Sequence, residues 1–421
     1  MREQIRKIAA FFILIVITCA CKGNKVDGET KPDDITGTKT FVPDKNTKIL
    51  KVGKDKEFVT ISAAAAVAMD SCIVEIDAGT YMGDVAQWTQ NCIIIRAVGG
   101  EVIIDAGGKS FGGKGIWDIA GGIIAVEGIT FKNAKVRDLN GSGIRLTKGF
   151  VTVKNCRFLH NENGILTSND GVSTLTLQNC EFGYNGAGDG FSHNIYVGKI
   201  AWFSVSGSWF HHAFVGHLIK TRAEVSLIKY NLIADGNDDL SAASYEIDFA
   251  SGGIGVVTGN IIQQAQSTKN SIIISYSNES DRPWVDNELY VSYNTIINDR
   301  SNANDRPNTN LIINSPELPV MYQGAYNNVL SKNTHFEMKF MDVETNNIWF
   351  EDIDMSAVYV PTKQAYDSWL NKVDKDIDRH LSPRLKAMGV SLVPKAEYKH
   401  PMMIKSLKKA PVIPGAIQSL D

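Results

Sequence analysis

Lys220 and Arg222 stand two residues apart in the stretch "VGHLIKTRAE", which also carries His217. On an extended strand alternate residues point to the same side, so the two cations share a face. A guanidinium is a planar fork that grips a carboxylate through two bonds and keeps its charge. A lysine can serve as a base once it is neutral, a form that burial and a neighbouring cation favour. Such a pair suits removal of a weakly acidic proton from a carbon next to a carboxylate. Arg222 would neutralise the carboxylate, Lys220 would take the proton, and Tyr196 or His217 would supply one to the departing oxygen. The bland alternative is a solvated face on which Lys220 and Arg222 pair with Glu246 and Asp248.

The elements that must position these residues are short strands. From about Ile49 onward a unit recurs: an apolar strand, then Asn or a small residue, then another apolar strand, as in "VTVKNCRF", "LTLQNCEF", "FSVSGSWF", "LIKYNLI", "VVTGNII", "YVSYNTII" and "GAYNNVL". Taking Asn155, Asn179, Ser208, Asn231, Asn260, Asn294 and Asn327 as markers, the spacings are 24, 29, 23, 29, 34 and 33. Constant strands with variable loops are the mark of a solenoid with insertions on one side, and β-branched runs of period two exclude helical repeats. This is the pattern of an all-β, single-stranded right-handed parallel β-helix. A buried Asn at each bend would bond its neighbours above and below. Solenoid ends need covers: "TISAAAAVAM", with Thr60 or Ser62 as N-cap, predicts an N-terminal capping helix. The stripe Ala365, Trp369, Val373 and Ile377 predicts a helix over 362–380 within a partly helical C-terminal cap.

Setting the coils on their markers makes Ile195, Ile219 and Ile247 equivalent inward positions, with one extra residue in the last coil. His193 then lies over His217 over Tyr245, Asn194 over Leu218 over Glu246, and Tyr196 over Lys220 over Asp248. Polar chemistry concentrates at the middle of this stack, which predicts a groove. His193, Asn194, Glu246 and Asp248 are the expected substrate-binding residues beside the catalytic set Lys220, Arg222, Tyr196 and His217. His193 and His217 equally suit hydrogen-bonded core positions. The adjacent His211 and His212 face opposite ways and make a poor metal pair, and the acidic loop "DGNDDL" (235–240) reads as solvated charge.

The segment "KEFVTISAAAAVAMDSCIVEIDAGTYMGDV" resembles the opening of pectate-lyase-superfamily β-helix proteins, and with the coils the resemblance covers Lys51 to Asn328. Within it, "IKTRAEVSLIKYNLI" resembles the coil that carries the catalytic lysine in the chondroitinase B and alginate lyase group of polysaccharide lyases. The resemblance implies Lys220 as the Brønsted base. Glu246 and Asp248 stand where that group has an arginine, and Ala213 and Val215 stand where it has acidic calcium ligands. Ca²⁺ is therefore not carried over, although Glu246 and Asp248 could ligate a metal. The expected activity is β-elimination on an acidic, uronate-containing glycan. The alternatives are a β-helix glycoside hydrolase using Asp248 and Glu246, or a non-catalytic surface protein binding glycans through Tyr196, Tyr276 and Trp284.

The balance of 43 basic against 46 acidic residues, net charge -3, leaves no basic block for a nucleic-acid backbone. Residues 1–21 pair Arg2, Arg6 and Lys7 with a run of about 13 apolar residues, too short for the ~20 that a span requires. The stretch reads as a bacterial lipoprotein signal with Cys21 as the lipidated residue, anchoring an exported monomer to a membrane. Residues 22–47 follow as a tether, 48–345 as the β-helix and 346–421 as C-terminal coils, helix and tail. "NES" at 278–280 formally matches a glycosylation acceptor, which carries no information in such a protein. Export permits disulfides among Cys72, Cys92, Cys156 and Cys180, yet Cys156 and Cys180, in near-identical settings, read as stacked thiols.

Overall fold

The β-branched bursts form strands, mostly of three to six residues but of 11–13 residues at Cys72–Met82, Ile93–Asp105, Gly115–Glu127 and Ser142–Lys154, and the turns between them lay each burst on its equivalent one coil earlier. The computed structural model describes residues 39–268, 270–279, 284–300, 309–314, 320–332, 334–336, 341–350 and 360–419. Cys21 and the expected signal lie outside them. The body is a continuous stack of parallel ladders that make three sheets. The first runs through Thr174–Gln178, Trp202–Ser206, Val225–Lys229, Ile254–Thr258 and Glu288–Ser292. The second runs through Glu181–Gly183, Trp209–His211, Leu232–Ala234 and Ile261–Gln264. The third runs through Asn163–Thr167, Ile195–Val197, Ile219–Thr221, Ile247–Phe249 and Ile272–Tyr276. The expected parallel β-helix is therefore the observed architecture.

Inward positions stack like on like. Phe131, Phe158, Phe182 and Phe210 form a file with ring centroids 5.2, 4.8 and 4.8 Å apart. A hydrogen-bonded ladder runs beside them: Ser208 Oγ accepts from Cys180 N, Asn231 Oδ1 from Ser208 N, Asn260 Oδ1 from Asn231 N, Asn294 Oδ1 from Asn260 N and Asn328 Oδ1 from Asn294 N, all at 2.9–3.0 Å. The ladder corrects the markers. Asn155, Asn179 and Asn327 are not rungs but the preceding bend residues, with φ of 52°, 55° and 54°. Asn tolerates this left-handed conformation better than most residues, which is why it recurs there too. Cys156 and Cys180 take the rung positions in their coils as buried free thiols, and Cys72, at the start of another strand, is also a buried free thiol. Burial pushes the Cys180 thiol up to about 12.

The N-terminal cap is the helix Ile61–Val67, whose N-cap Thr60 accepts from Ala63 N at 3.2 Å. The single helix expected over 362–380 is instead two pieces, a helix at Lys363–Trp369 and a 3₁₀ turn at Ile377–His380. Asn371 between them adopts φ 62° and donates its backbone N–H to Val412 O, ending the helix. The apolar stripe divides accordingly. Trp369 packs with Val329 and Ile413, whereas Ile377 joins Leu385, Leu392 and Tyr290 on the outer face of the first sheet. The C-terminal segment thus covers the first sheet.

Candidate functional site

The third sheet places the residues singled out in the sequence. Ile195, Ile219 and Ile247 are fully buried, and alternation turns their neighbours outward. Tyr196 pairs with Lys220 and Lys220 with Asp248 in the parallel register, followed by Ser275. Arg222 lies two residues beyond Lys220, and its guanidinium centre sits 4.9 Å from the centroid of the Tyr196 ring; Lys220 Nζ lies 5.6 Å from the same ring. A cation over an aromatic face is attracted by the ring quadrupole, so Tyr196 is a floor on which both charges rest.

Between the two cations stands a residue that sequence reasoning missed. Glu279 Oε1 accepts from Lys220 Nζ at 2.8 Å, and Oε2 accepts from Arg222 Nε at 2.8 Å and from its terminal nitrogen. Against the upward push of burial, these bonds hold the Glu279 carboxyl below the ordinary range. Glu279 lies within the "NES" triplet, and the loop after Tyr276 brings it back across two coils, 59 residues on from Lys220. Nothing periodic marks it. The available signal was an acid just beyond the next coil on the same stack.

Asp248 lies beneath Lys220, with Oδ2 3.6 Å from Lys220 Nζ and 3.6 Å from His217 Nε2. It is 3% exposed, and burial raises its carboxyl against the lowering effect of Lys220. His217 is stacked between His193 and Tyr245, at 4.5 and 4.6 Å between ring centroids. Burial, reinforced by Lys220, pushes His217 down to about 3, and burial likewise holds His193 well below its usual range. Both rings are neutral at physiological pH. Nδ1 of each accepts a backbone N–H, from Tyr245 for His217 and from His217 for His193, so the proton sits on Nε2.

Four expectations are corrected here. His217, pushed down to about 3 by burial, has no second proton to give at neutral pH, which does not fit the acid's role. His193 is 1% exposed and serves the stack, not a substrate. Asn194 is fully buried, donating to His211 O at 2.8 Å and accepting from Asn185 at 2.9 Å as part of an interior network. Glu246 is also fully buried. It precedes the strand Ile247–Phe249 at the bend, where alternation no longer holds, and the register puts it in a column between Leu218 and Ile273. Both its oxygens lack a partner, and burial, then nearby Asp235, raises its carboxyl well above the ordinary value.

Tyr276 is fully buried and offers no platform for a sugar, whereas Trp284 is partly buried and donates Nε1 to Arg222 O at 2.8 Å, bracing the strand end. His212 pairs with Asp238 at 3.0 Å and His211 with Glu181 at 3.3 Å. Asp235 of the acidic loop points inward, accepting from Ala213 N and Ala243 N, so that residue is not solvated charge. Among the described residues, no group of three or more His, Cys, Asp or Glu side chains is placed to hold a metal ion.

The arrangement is a carboxylate cradle: two cations on one strand, an aromatic floor and a buried acid beneath. No family model and no curated protein matches the chain. Among solved structures, the pectate lyase Pel9A superposes with a TM-score of 0.52 at 15% identity, over 90% of this chain and 97% of that one. An alginate lyase from Paenibacillus sp. str. FPU-7 gives 0.39 at 14% identity over 69% of this chain and 92% of that one. A pectin methylesterase from Aspergillus niger gives 0.32 at 12% identity over 77% and 94%. Likeness at such identities concerns the path of the backbone and leaves the chemistry to the site. The chain is a right-handed parallel β-helix that shares its fold with the pectate lyase Pel9A.

Proposed function

We propose that this protein is a polysaccharide lyase that cleaves an acidic, uronate-containing glycan by β-elimination. The observation that carries the reading is the Glu279 carboxylate, held at once by Lys220 and Arg222. It shows that the cation pair has the span and orientation to grip a carboxylate, and a uronate carboxylate would take that place. The fold shared with a pectate lyase supports a polysaccharide as substrate.

In the proposed step Arg222 neutralises the substrate carboxylate, which makes the adjacent C5–H more acidic and stabilises the charge that develops as it is lost. Lys220, its own proton passed to Asp248, takes the C5 proton. The C4–O bond breaks, a C4=C5 double bond forms, and the departing oxygen receives a proton from the Tyr196 hydroxyl one coil away. Asp248 is suited to its part because burial favours its protonated form. Ca²⁺ is not assigned to any residue.

The test is a panel of alginate, ulvan, pectin and glycosaminoglycans, followed by ultraviolet absorbance of the new double bond, with and without a chelator. Absorbance that appears with the wild type and vanishes in Lys220→Ala is expected. Reducing ends released without the chromophore would overturn the reading and favour a glycoside hydrolase. One observation favours that second reading: Asp248 and Glu279 both flank Lys220, which supplies two carboxylates. Cys21 is proposed as the lipid anchor of the exported protein; incorporation of labelled palmitate that is lost in Cys21→Ser tests it.

A further inference from the structure

A cavity of about 550 Å³ lies away from the Lys220 face, between the outer side of the first sheet and the C-terminal segment 389–406. Its floor is two rows of side chains set by the parallel register. One row is Thr152, Thr176 and Ser204, and the other is Lys154, Gln178, Ser206 and Lys229. Neighbours in a row are about 4.8 Å apart, so Lys154 and Lys229 stand about 14 Å from each other across three strand spacings. Ser204 Oγ donates to Thr176 Oγ1 at 3.2 Å, forming a hydroxyl pair at the centre. The roof adds Lys395, and among the described residues no acidic side chain lines the space.

Lys229 is the charged group most deeply committed to this cavity. Its Nζ donates to Ser391 O at 3.2 Å, and burial, with Lys395 adding to it, brings the ammonium down to about 8. Asp378, whose charge works against that lowering, is itself engaged by Ser391 Oγ at 2.8 Å and Leu392 N at 2.7 Å. A partly buried ammonium beside a cavity with another lysine gains from an anion placed in that cavity. Hydroxyl and amide side chains at regular spacing along a groove offer both donors and acceptors to a chain of sugar hydroxyls.

We propose that this cavity is a second site, binding a short anionic oligosaccharide with its hydroxyls on the Thr/Ser row and its acidic groups on Lys229 and Lys154. The site does not depend on the chemistry of the Lys220 face. It would hold the glycan, or a product cut from it, on a surface separate from the groove.

Calorimetric titration of the full chain with a galacturonate trimer, a neutral trisaccharide and inorganic phosphate tests the proposal. Saturable binding of the uronate trimer, weaker by tenfold or more for the other two, is expected. Lys229→Gln and Ser204→Trp, which removes the charge or fills the floor from the outer face, are each expected to weaken binding by about tenfold or more. The double variant Lys220→Ala, Arg222→Ala is expected to keep this binding whether or not the protein is a lyase. Three results would overturn the proposal: trimer binding unchanged in both cavity variants, trimer binding abolished by the double variant, or phosphate binding as tightly as the trimer. If Ser204→Trp fails to fold by circular dichroism, Lys229→Gln alone decides.

Discussion

Replacing Glu246 with leucine is expected to stabilise the protein, and by more as the pH rises. The glutamate sits in a column between Leu218 and Ile273, fully buried, with both carboxylate oxygens unpartnered. Leucine would repeat the residue one coil earlier. The sign follows from linkage. In the unfolded chain a glutamate ionises near ~4.3. In the fold, burial and Asp235 keep this one protonated well above that value. The folded state therefore holds the extra proton, and stability falls as pH rises beyond the unfolded value, by at most about 1.4 kcal/mol per unit. At pH 7 the penalty reaches at most about 4 kcal/mol. A chain of 421 residues unfolds with about 0.9 kcal/mol/K, so removal of that penalty is worth up to about 4 °C in Tm. Asp235, pushed up by burial to about 6, stays in the variant and keeps part of the slope. Thermal melts of both proteins from pH 5 to pH 8 measure the effect, and the gap is expected to widen with pH. A constant gap, or a leucine variant less stable at pH 7, would refute the reasoning. Glycan cleavage is expected to survive, because a sealed carboxyl touches no substrate.

Arg222→Lys keeps the charge but gives up one of two bonds from a single planar fork, so kcat/KM is expected to fall about 10- to 100-fold, mostly in kcat; a change below about threefold would remove Arg222 from the carboxylate grip. Glu279→Gln removes the internal carboxylate from the cradle, so KM for a uronate substrate is expected to drop severalfold, whereas a fall in kcat at constant KM would show that Glu279 positions the cations instead. Asn260→Leu breaks a rung that donates to Ile228 O at 2.8 Å and accepts from Asn231 N at 2.9 Å, leaving buried groups unpaired. At about 1–3 kcal/mol for each, a loss of several degrees in Tm is expected by calorimetry.

Much of the site's frame was legible in the sequence because parallel stacking is a local rule repeated. Once Ile195, Ile219 and Ile247 are read as equivalents, Tyr196, Lys220 and Asp248 follow, since alternation along a strand and register between strands are both set by the backbone. The same rule misled where the chain leaves the strand. Glu246 is two residues from Asp248, yet the bend before Ile247 turns it into the core. Asn155, Asn179 and Asn327 looked like rungs because Asn suits both a rung and a left-handed bend, and composition does not separate the two uses.

Composition and pattern alone thus determined the solenoid, its N-terminal cap and the outward file that carries Lys220 and Arg222, because these depend on period, propensity and nearest-neighbour stacking. Tertiary structure decided the rest. It brought Glu279 from a loop with no periodic signature onto both cations, and it fixed the tautomers of His193 and His217 through backbone donors of adjacent coils. It also set the C-terminal segment on the first sheet, making a cavity from rows that in the sequence are only exposed strand faces. Loop paths and long-range packing are chosen by the whole molecule's burial and hydrogen bonding, so no local stretch of sequence specifies them.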